Sequence, residues 1–179
     1  LIVGFVLLPE TGLRHSLIAL AAVSTIGSVP ALASSRPDRP TVGIALVLAA
    51  GVAGLAAALP PFDLRLLSSG AYKYASYLHR TDVEASLSAG RLLYYADGAG
   101  ATVSVRRVAG STSLAIDGKI DASDTGDMLT QRLLAHVPLL LHREARDVVV
   151  IGLGSGVTPG SALRHPIARL DVLEISPEV

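Results

Sequence analysis

The sequence predicts a two-part chain: an α-helical transmembrane segment followed by an α/β part, which opens on a small antiparallel β-domain and continues into the start of a Rossmann-like fold. Three observations predict it. Two long uncharged runs fill the first third of the 179 residues. Short strand-like runs separated by glycine turns follow. A β-branched run then leads into a glycine-rich loop near the end. The average composition hides this division, because 15 basic and 15 acidic residues cancel and half the chain is hydrophobic. Residues 1–80 carry six basic and three acidic side chains, and residues 81–179 carry nine and twelve. Neutrality gives no reason to expect a nucleic-acid partner. The absence of cysteine excludes a disulfide framework, a thiolate nucleophile and a cysteine metal site. The only methionine is Met128, so Leu1 is not a natural start and a fragment or processed piece is expected.

The membrane segment is assigned to residues 1–62. Ser16–Ser35 and Pro40–Phe62 contain no charge. At about 1.5 Å per residue, about 20 residues cross a hydrocarbon core. Both runs are rich in Ala, Gly, Leu and Val, the small-residue composition that lets membrane helices approach closely. Leu1–Leu8 reads as the tail of a third apolar helix, and Ser34–Pro40 as the polar turn of a hairpin. Val29-Pro30-Ala31-Leu32-Ala33 also resembles a signal-peptidase site, although a second uncharged run directly after it weighs against a secretory signal. Neither run holds an ionisable residue that would bind or relay a transported ion, so anchoring is the expected role. The expected location is the inner (cell) membrane, multi-pass, in contact with the lipid bilayer, with the soluble domain in the cytoplasm. Arg14 on one side and Arg36 with Arg39 on the other leave the orientation undecided by charge alone.

Residues 63–90 read as a polar linker. Residues 91–123 read as a β-hairpin domain, with turns at Gly98-Ala99-Gly100, Gly110-Ser111 and Asp117-Gly118. Residues 124–179 read as the first part of a nucleoside-binding domain. Leu129, Leu133, Val137 and Leu140 repeat at helical spacing, with Leu134 and Leu141 widening the stripe. Pro138 is expected to end or kink that helix, and Asp127 to cap its start. Asp147–Ile151 is a β-branched run of the kind buried on both faces of a parallel sheet. After it, Gly152-Leu153-Gly154-Ser155-Gly156 leads to a short helix with Thr158 as N-cap and Pro159 at its first position. A second strand ends near Glu174, 22 residues beyond Gly152.

Glycines at 152, 154 and 156 let a backbone turn sharply against a ligand, and an acid at the end of the next strand accepts from ribose hydroxyls. A dinucleotide site would need glycine or alanine at Val157. The G-x-G-x-G spacing therefore favours an adenosyl-sulfonium ligand. Lys119 and Asp121 are equally well explained by a pocket or by a polar turn, and Gln131 by a solvated helix face. His136, His142 and His165 lack metal-ligand spacing, so no metal site is expected.

From Tyr94 to Val179 the order of landmarks resembles the spermidine synthase (polyamine aminopropyltransferase) family. The landmarks are Tyr95-Ala96-Asp97-Gly98, Asp117 to Asp121, Asp127 through Gln131, Val137-Pro138-Leu139, the Gly152–Gly156 loop, Leu163-Arg164-His165-Pro166, and Leu173 to Val179. With apolar spans ahead of it, the chain looks like the membrane-fused branch of that family. The resemblance implies a small β-domain before a Rossmann-like S-adenosylmethionine-dependent methyltransferase fold. It also implies transfer of an aminopropyl group from decarboxylated S-adenosylmethionine, as co-substrate rather than tightly bound cofactor, to an amine acceptor such as putrescine. By the same resemblance Glu174 is the ribose-binding acid, while Gly152, Gly154, Ser155 and Gly156, with Asp121, line the donor site. Ser155 stands where soluble members usually carry Asp against the donor's amine, and Asp121 where they usually carry Gln. The catalytic residues are expected beyond Val179, the fragment alone is expected to be inactive, and a homodimer is a candidate assembly. Two alternatives stay open: a non-catalytic sensor or interaction module, and a methyltransferase using intact S-adenosylmethionine.

Overall fold

The computed structural model describes residues 2–34, 39–58, 60–78, 82–142 and 144–179. The chain divides into two compact units, residues 1–62 and 63–179. In the first unit a π-helical turn, Val3–Leu7, runs into helix α1, Leu8–Ser34, followed by α2, Arg39–Ala58. Gly12, at φ 75° and ψ 169°, breaks α1 near its start. Just before the break, the Thr11 hydroxyl donates to the Leu7 carbonyl at 2.8 Å. Further along, Ser24 and Thr25 donate to the carbonyls four residues earlier, both at 2.8 Å, so these hydroxyls are satisfied within their own helix. Leu17, Leu20, Val23 and Ile26 are exposed.

Val3–Ser28 is the one described helix long and apolar enough to cross a membrane. The apolar stretch of α2, Thr41–Ala56, is shorter than a full span, so the expected second pass is not supported by length within the described residues. The hairpin turn expected at Ser34–Pro40 falls mostly on residues 35–38, outside the described residues.

The second unit opens on the stretch expected as a linker, which is instead folded. It forms three short helices, α3 Leu64–Leu67, α4 Ala71–Tyr74 and α5 Val83–Leu87, with a 3-10 turn at Ala75–Tyr77. Helices of four or five residues do not persist unaided. Contacts to the β-sheet hold them. The Arg106 guanidinium donates to the Leu87 carbonyl at 2.6 Å, to the Ser68 hydroxyl at 3.0 Å and to the Arg65 carbonyl. The Tyr74 hydroxyl accepts from the Ile120 N–H at 3.2 Å. A polar stretch without periodicity hides this, because its partners lie some 20 to 46 residues away in sequence.

The sheet is an antiparallel meander: β1 Arg91–Asp97, β2 Thr102–Val108, β3 Ser111–Ile116 and β4 Lys119–Ser123, in the order β1-β2-β3-β4. Its centre is small. Val103, Ala115 and Ala122 are buried with Ser104. The turns at Ala109-Gly110 and Asp117-Gly118 place both central residues at positive φ, the geometry that matches the twist of a two-residue hairpin. Asp124, after β4, accepts from the Thr112 N–H at 2.8 Å and the Ser111 hydroxyl at 3.1 Å, tying the chain's exit back to β3.

Helix α6, Met128–Leu141, then packs on β4 and on α7, Val157–Ala162. Pro138 neither ends nor shortens it. Asp127 occupies the cap position without a side-chain cap bond, because its carboxylate accepts from the Ser123 hydroxyl at 3.0 Å. The predicted leucine stripe is corrected as well. Leu129, Leu133, Leu134, Val137, Leu140 and Leu141 are exposed, and the face packed within the chain is Gln131 with Ala135, one turn apart.

β5 Asp147–Ile151 and β6 Arg169–Leu173 form a parallel pair, with Ile151 opposite Leu173. β5 is not buried on both faces: Val148 and Val150 are half-buried, whereas Val149 and Ile151 are exposed. α7 packs against β6, and β5 shows the alternation of a half-buried strand in place of the expected double burial. At α7 the cap is Gly156 rather than Thr158, whose hydroxyl donates to the Gln131 carbonyl at 2.9 Å.

Candidate functional site

The glycine loop begins where β5 ends and its direction is set by Gly152, Gly154 and Gly156, all at positive φ. Such a run costs other residues about 1–2 kcal/mol each, which is why glycines are required. Added Cβ atoms at these three positions would meet nothing within 4 Å, so the outer side of the loop is open. Across from it, Glu174 follows β6 directly. Its Oε2 accepts from the Leu153 N–H at 2.7 Å, and its Oε1 from the N–H groups of Ile175 at 2.9 Å and Ser176 at 3.0 Å. One carboxylate thus holds both the loop after β5 and the exit of β6. A carboxylate has about four acceptor positions, and three here are filled by main chain.

Those bonds favour the charged form. The Ser176 N–H first and the Leu153 N–H next hold the Glu174 carboxyl below its ordinary 4.5. The Thr112 N–H similarly holds Asp124 below its ordinary 3.8. A carboxyl whose folded pKa is depressed stabilises the fold above its unfolded pKa and stops doing so as pH falls through the folded value. The loop tie is therefore expected to be intact above about pH 5 and to be lost on further acidification. Amide exchange at Leu153 and Ser176 checks this, since their protection should fall in step with Glu174 protonation.

The structure brings four of the six predicted site residues together. Asp121, Gly152, Gly154 and Glu174 line one cavity of about 430 Å³, closed by Leu114 and Ile116 of β3 and by the Ile175–Val179 segment. Asp121 pairs with Lys119 at its edge. Ser155 is not in this cavity. It lines a second one of about 270 Å³ with Val105, Ser113, Ala122 and Met128, and its hydroxyl donates to the Gln131 side-chain oxygen. Gly156 lines neither and serves as the α7 cap.

Gln131 is the residue that sequence reasoning missed. Expected on a solvated face, it is buried. Its amide donates to the Ser123 carbonyl at 2.8 Å, its side-chain oxygen accepts from Ser155, and its own carbonyl accepts from Thr158. One residue on α6 thereby ties the end of β4 and the glycine loop through its side chain, and α7 through its main-chain carbonyl. The available signal was its one-turn spacing from Ala135 on the face opposite the leucines. Gln131→Leu leaves the Ser123 carbonyl and the Ser155 hydroxyl without these partners and is expected to cost about 2 kcal/mol. Chemical unfolding of the wild type and variant measures it.

A second missed contact joins His136 Nδ1 to His165 Nε2 at 2.8 Å, with ring centroids 5.1 Å apart. It links α6 to the segment after α7. Among the described residues, no three His, Cys, Asp or Glu side chains converge to hold a metal.

No family model matches the chain. Part of it is nevertheless similar to known enzymes. A polyamine aminopropyltransferase of Archaeoglobus fulgidus is 36% identical over 66 residues, 37% of this chain and 24% of that protein. Polyamine aminopropyltransferase 1 of Aquifex aeolicus is 39% identical over 67 residues, again 37% and 24%. The chain carries a polyamine-aminopropyltransferase-like segment. Among solved structures, spermidine synthase from Thermotoga maritima aligns with 49% of this chain and 32% of its own, at 24% identity and a TM-score of 0.46. A spermidine synthase in complex with the transition-state analogue AdoDATO aligns at the same identity and score, covering 49% and 30%. The chain spans about a quarter of the length of the aminopropyltransferases it matches.

Proposed function

We propose that the full-length protein is a membrane-anchored, aminopropyltransferase-like enzyme whose α/β part binds an S-adenosyl donor against the glycine loop. The observation that carries this is the placement of Glu174. Its carboxylate stands at the end of β6, opposite Gly152 and Gly154, in a cavity of about 430 Å³. That arrangement suits an adenosyl ribose beside an acid and a sulfonium above a loop without side chains. The acceptor in this reading is an amine such as putrescine. Its nitrogen lone pair forms a bond to the carbon next to sulfur, the C–S bond breaks, and the sulfonium leaves as a neutral thioether. The proton released from nitrogen passes to a base.

Val3–Ser28 supplies the anchor, and in this reading α2 completes a multi-pass arrangement in the inner membrane, with the α/β part cytoplasmic. Retention of the full-length protein in the pellet after carbonate extraction is the expected result, and release into the soluble fraction refutes the anchor. For the site, calorimetry of the full-length protein with methylthioadenosine is expected to show saturable binding.

One observation favours a second reading. The Ser155–Gln131 contact is neutral and offers no carboxylate to a donor's ammonium. A methyltransferase using intact S-adenosylmethionine accommodates that better. Tighter binding of S-adenosylmethionine than of its decarboxylated form supports the second reading, and the reverse order supports the first.

A further inference from the structure

Three carboxylates line the cavity beside the glycine loop, and two of them are already compensated. Asp121 pairs with Lys119, and Glu174 accepts from three main-chain N–H groups. Glu178 is different. It is half-buried, and its carboxylate accepts from the Ser176 hydroxyl at 2.6 Å. Among the described residues it has no ion pair with Lys, Arg or His. The β1–β2 turn holds it close: a Cβ on Gly98 would lie 2.6 Å from the Glu178 carboxyl carbon. Glycine at that position lets the carboxylate lie against the turn and face the same cavity as Gly152 and Gly154.

A partly desolvated carboxylate without a cationic partner projects negative potential into the space it lines. The group that complements it is a cation. We infer that Glu178 is a specificity-determining residue that selects the positively charged sulfonium form of the adenosyl ligand over the neutral thioether. This rests on the donor reading above. It also gives the site a direction. When the C–S bond breaks, sulfur keeps the electron pair and loses its charge, so the attraction to Glu178 is lost as product forms.

The test uses the full-length protein in detergent and two ligands differing by one methyl and one charge: methylthioadenosine and its S-methylated dimethylsulfonium analogue. The wild type is expected to bind the sulfonium more tightly. Glu178→Gln keeps the size of the side chain and its acceptor for Ser176. It is expected to weaken sulfonium binding about ten-fold while leaving methylthioadenosine within about two-fold. Gly98→Ala, whose Cβ would meet both the Glu178 carboxylate at 2.6 Å and the Ala101 carbonyl oxygen at 2.8 Å, displaces the carboxylate together with the turn and should likewise weaken sulfonium binding more than methylthioadenosine binding. Equal losses for both ligands, or no loss for either, overturn the role of Glu178. Failure of the wild type to bind either ligand overturns the donor reading itself, and this inference with it.

Discussion

Glu174→Ala is expected to reduce methylthioadenosine affinity of the full-length protein by about 100-fold or more, without unfolding it. Two losses add. The ribose loses a charged acceptor, which alone is expected to lower binding roughly ten-fold or more. The Leu153, Ile175 and Ser176 N–H groups lose their acceptor too. They sit at the solvent-facing end of the sheet, so water replaces the carboxylate and the fold survives, but the glycine loop is no longer held at its distance from β6. Glu174→Gln separates the two effects. It keeps the shape but turns an NH2 toward N–H donors on one side, so it should behave nearer to alanine than to wild type. Calorimetry against methylthioadenosine, with melting temperatures measured in parallel, distinguishes these outcomes. Affinity within two-fold of wild type in Glu174→Ala would remove the acid from the site.

What the amino acids announce and what they hide follows from how local each interaction is. The turn at Asp117-Gly118 and the loop at Gly152–Gly156 are readable because positive φ demands particular residue types wherever it occurs. The parallel β5–β6 pair follows from a β-branched run and a second, alternating apolar run joined by a short helix. Gln131 is easily misread, because a single glutamine among leucines looks like the polar face of an amphipathic helix. Only the positions of Ser123 and Ser155 turn that face inward. The leucine stripe of α6 misleads for the same reason: periodicity tells which side of a helix is apolar, not whether this chain covers it. Residues 63–90 carry no pattern at all, since their helices are held from outside by the Arg106 guanidinium and the Ile120 N–H. Glu178 escapes notice because its relation to Gly98 spans 80 residues and depends on a turn that no motif marks.

The most severe loss of stability is expected where the first residues of the α/β part meet the β3–β4 turn. Gly70, at φ 65°, and Gly118, at φ 76°, touch backbone to backbone. A Cβ on Gly70 would lie 2.2 Å from the Gly118 carbonyl oxygen, and one on Gly118 would lie 2.5 Å from the Gly70 nitrogen. Neither obstacle is a side chain that can rotate away. Each alanine substitution therefore adds the cost of a left-handed backbone to that of pushing two main-chain segments apart. Together these are expected to reach about 3 kcal/mol or more. Two other glycines calibrate the parts. Gly110→Ala, at φ 87° with nothing within 4 Å, isolates the backbone term at about 1 kcal/mol. Gly100→Ala, with open space and no positive φ, should be close to neutral. The double variant Gly70→Ala/Gly118→Ala should cost less than the sum of its parts, because one separation of the segments accommodates both methyls. Chemical unfolding of the five variants measures the order. Limited proteolysis adds location: parting this contact should expose residues 63–78 to cleavage before the meander itself opens, since those short helices depend on the sheet for their existence. Equal stabilities for Gly70→Ala and Gly110→Ala would show that the two backbones do not meet.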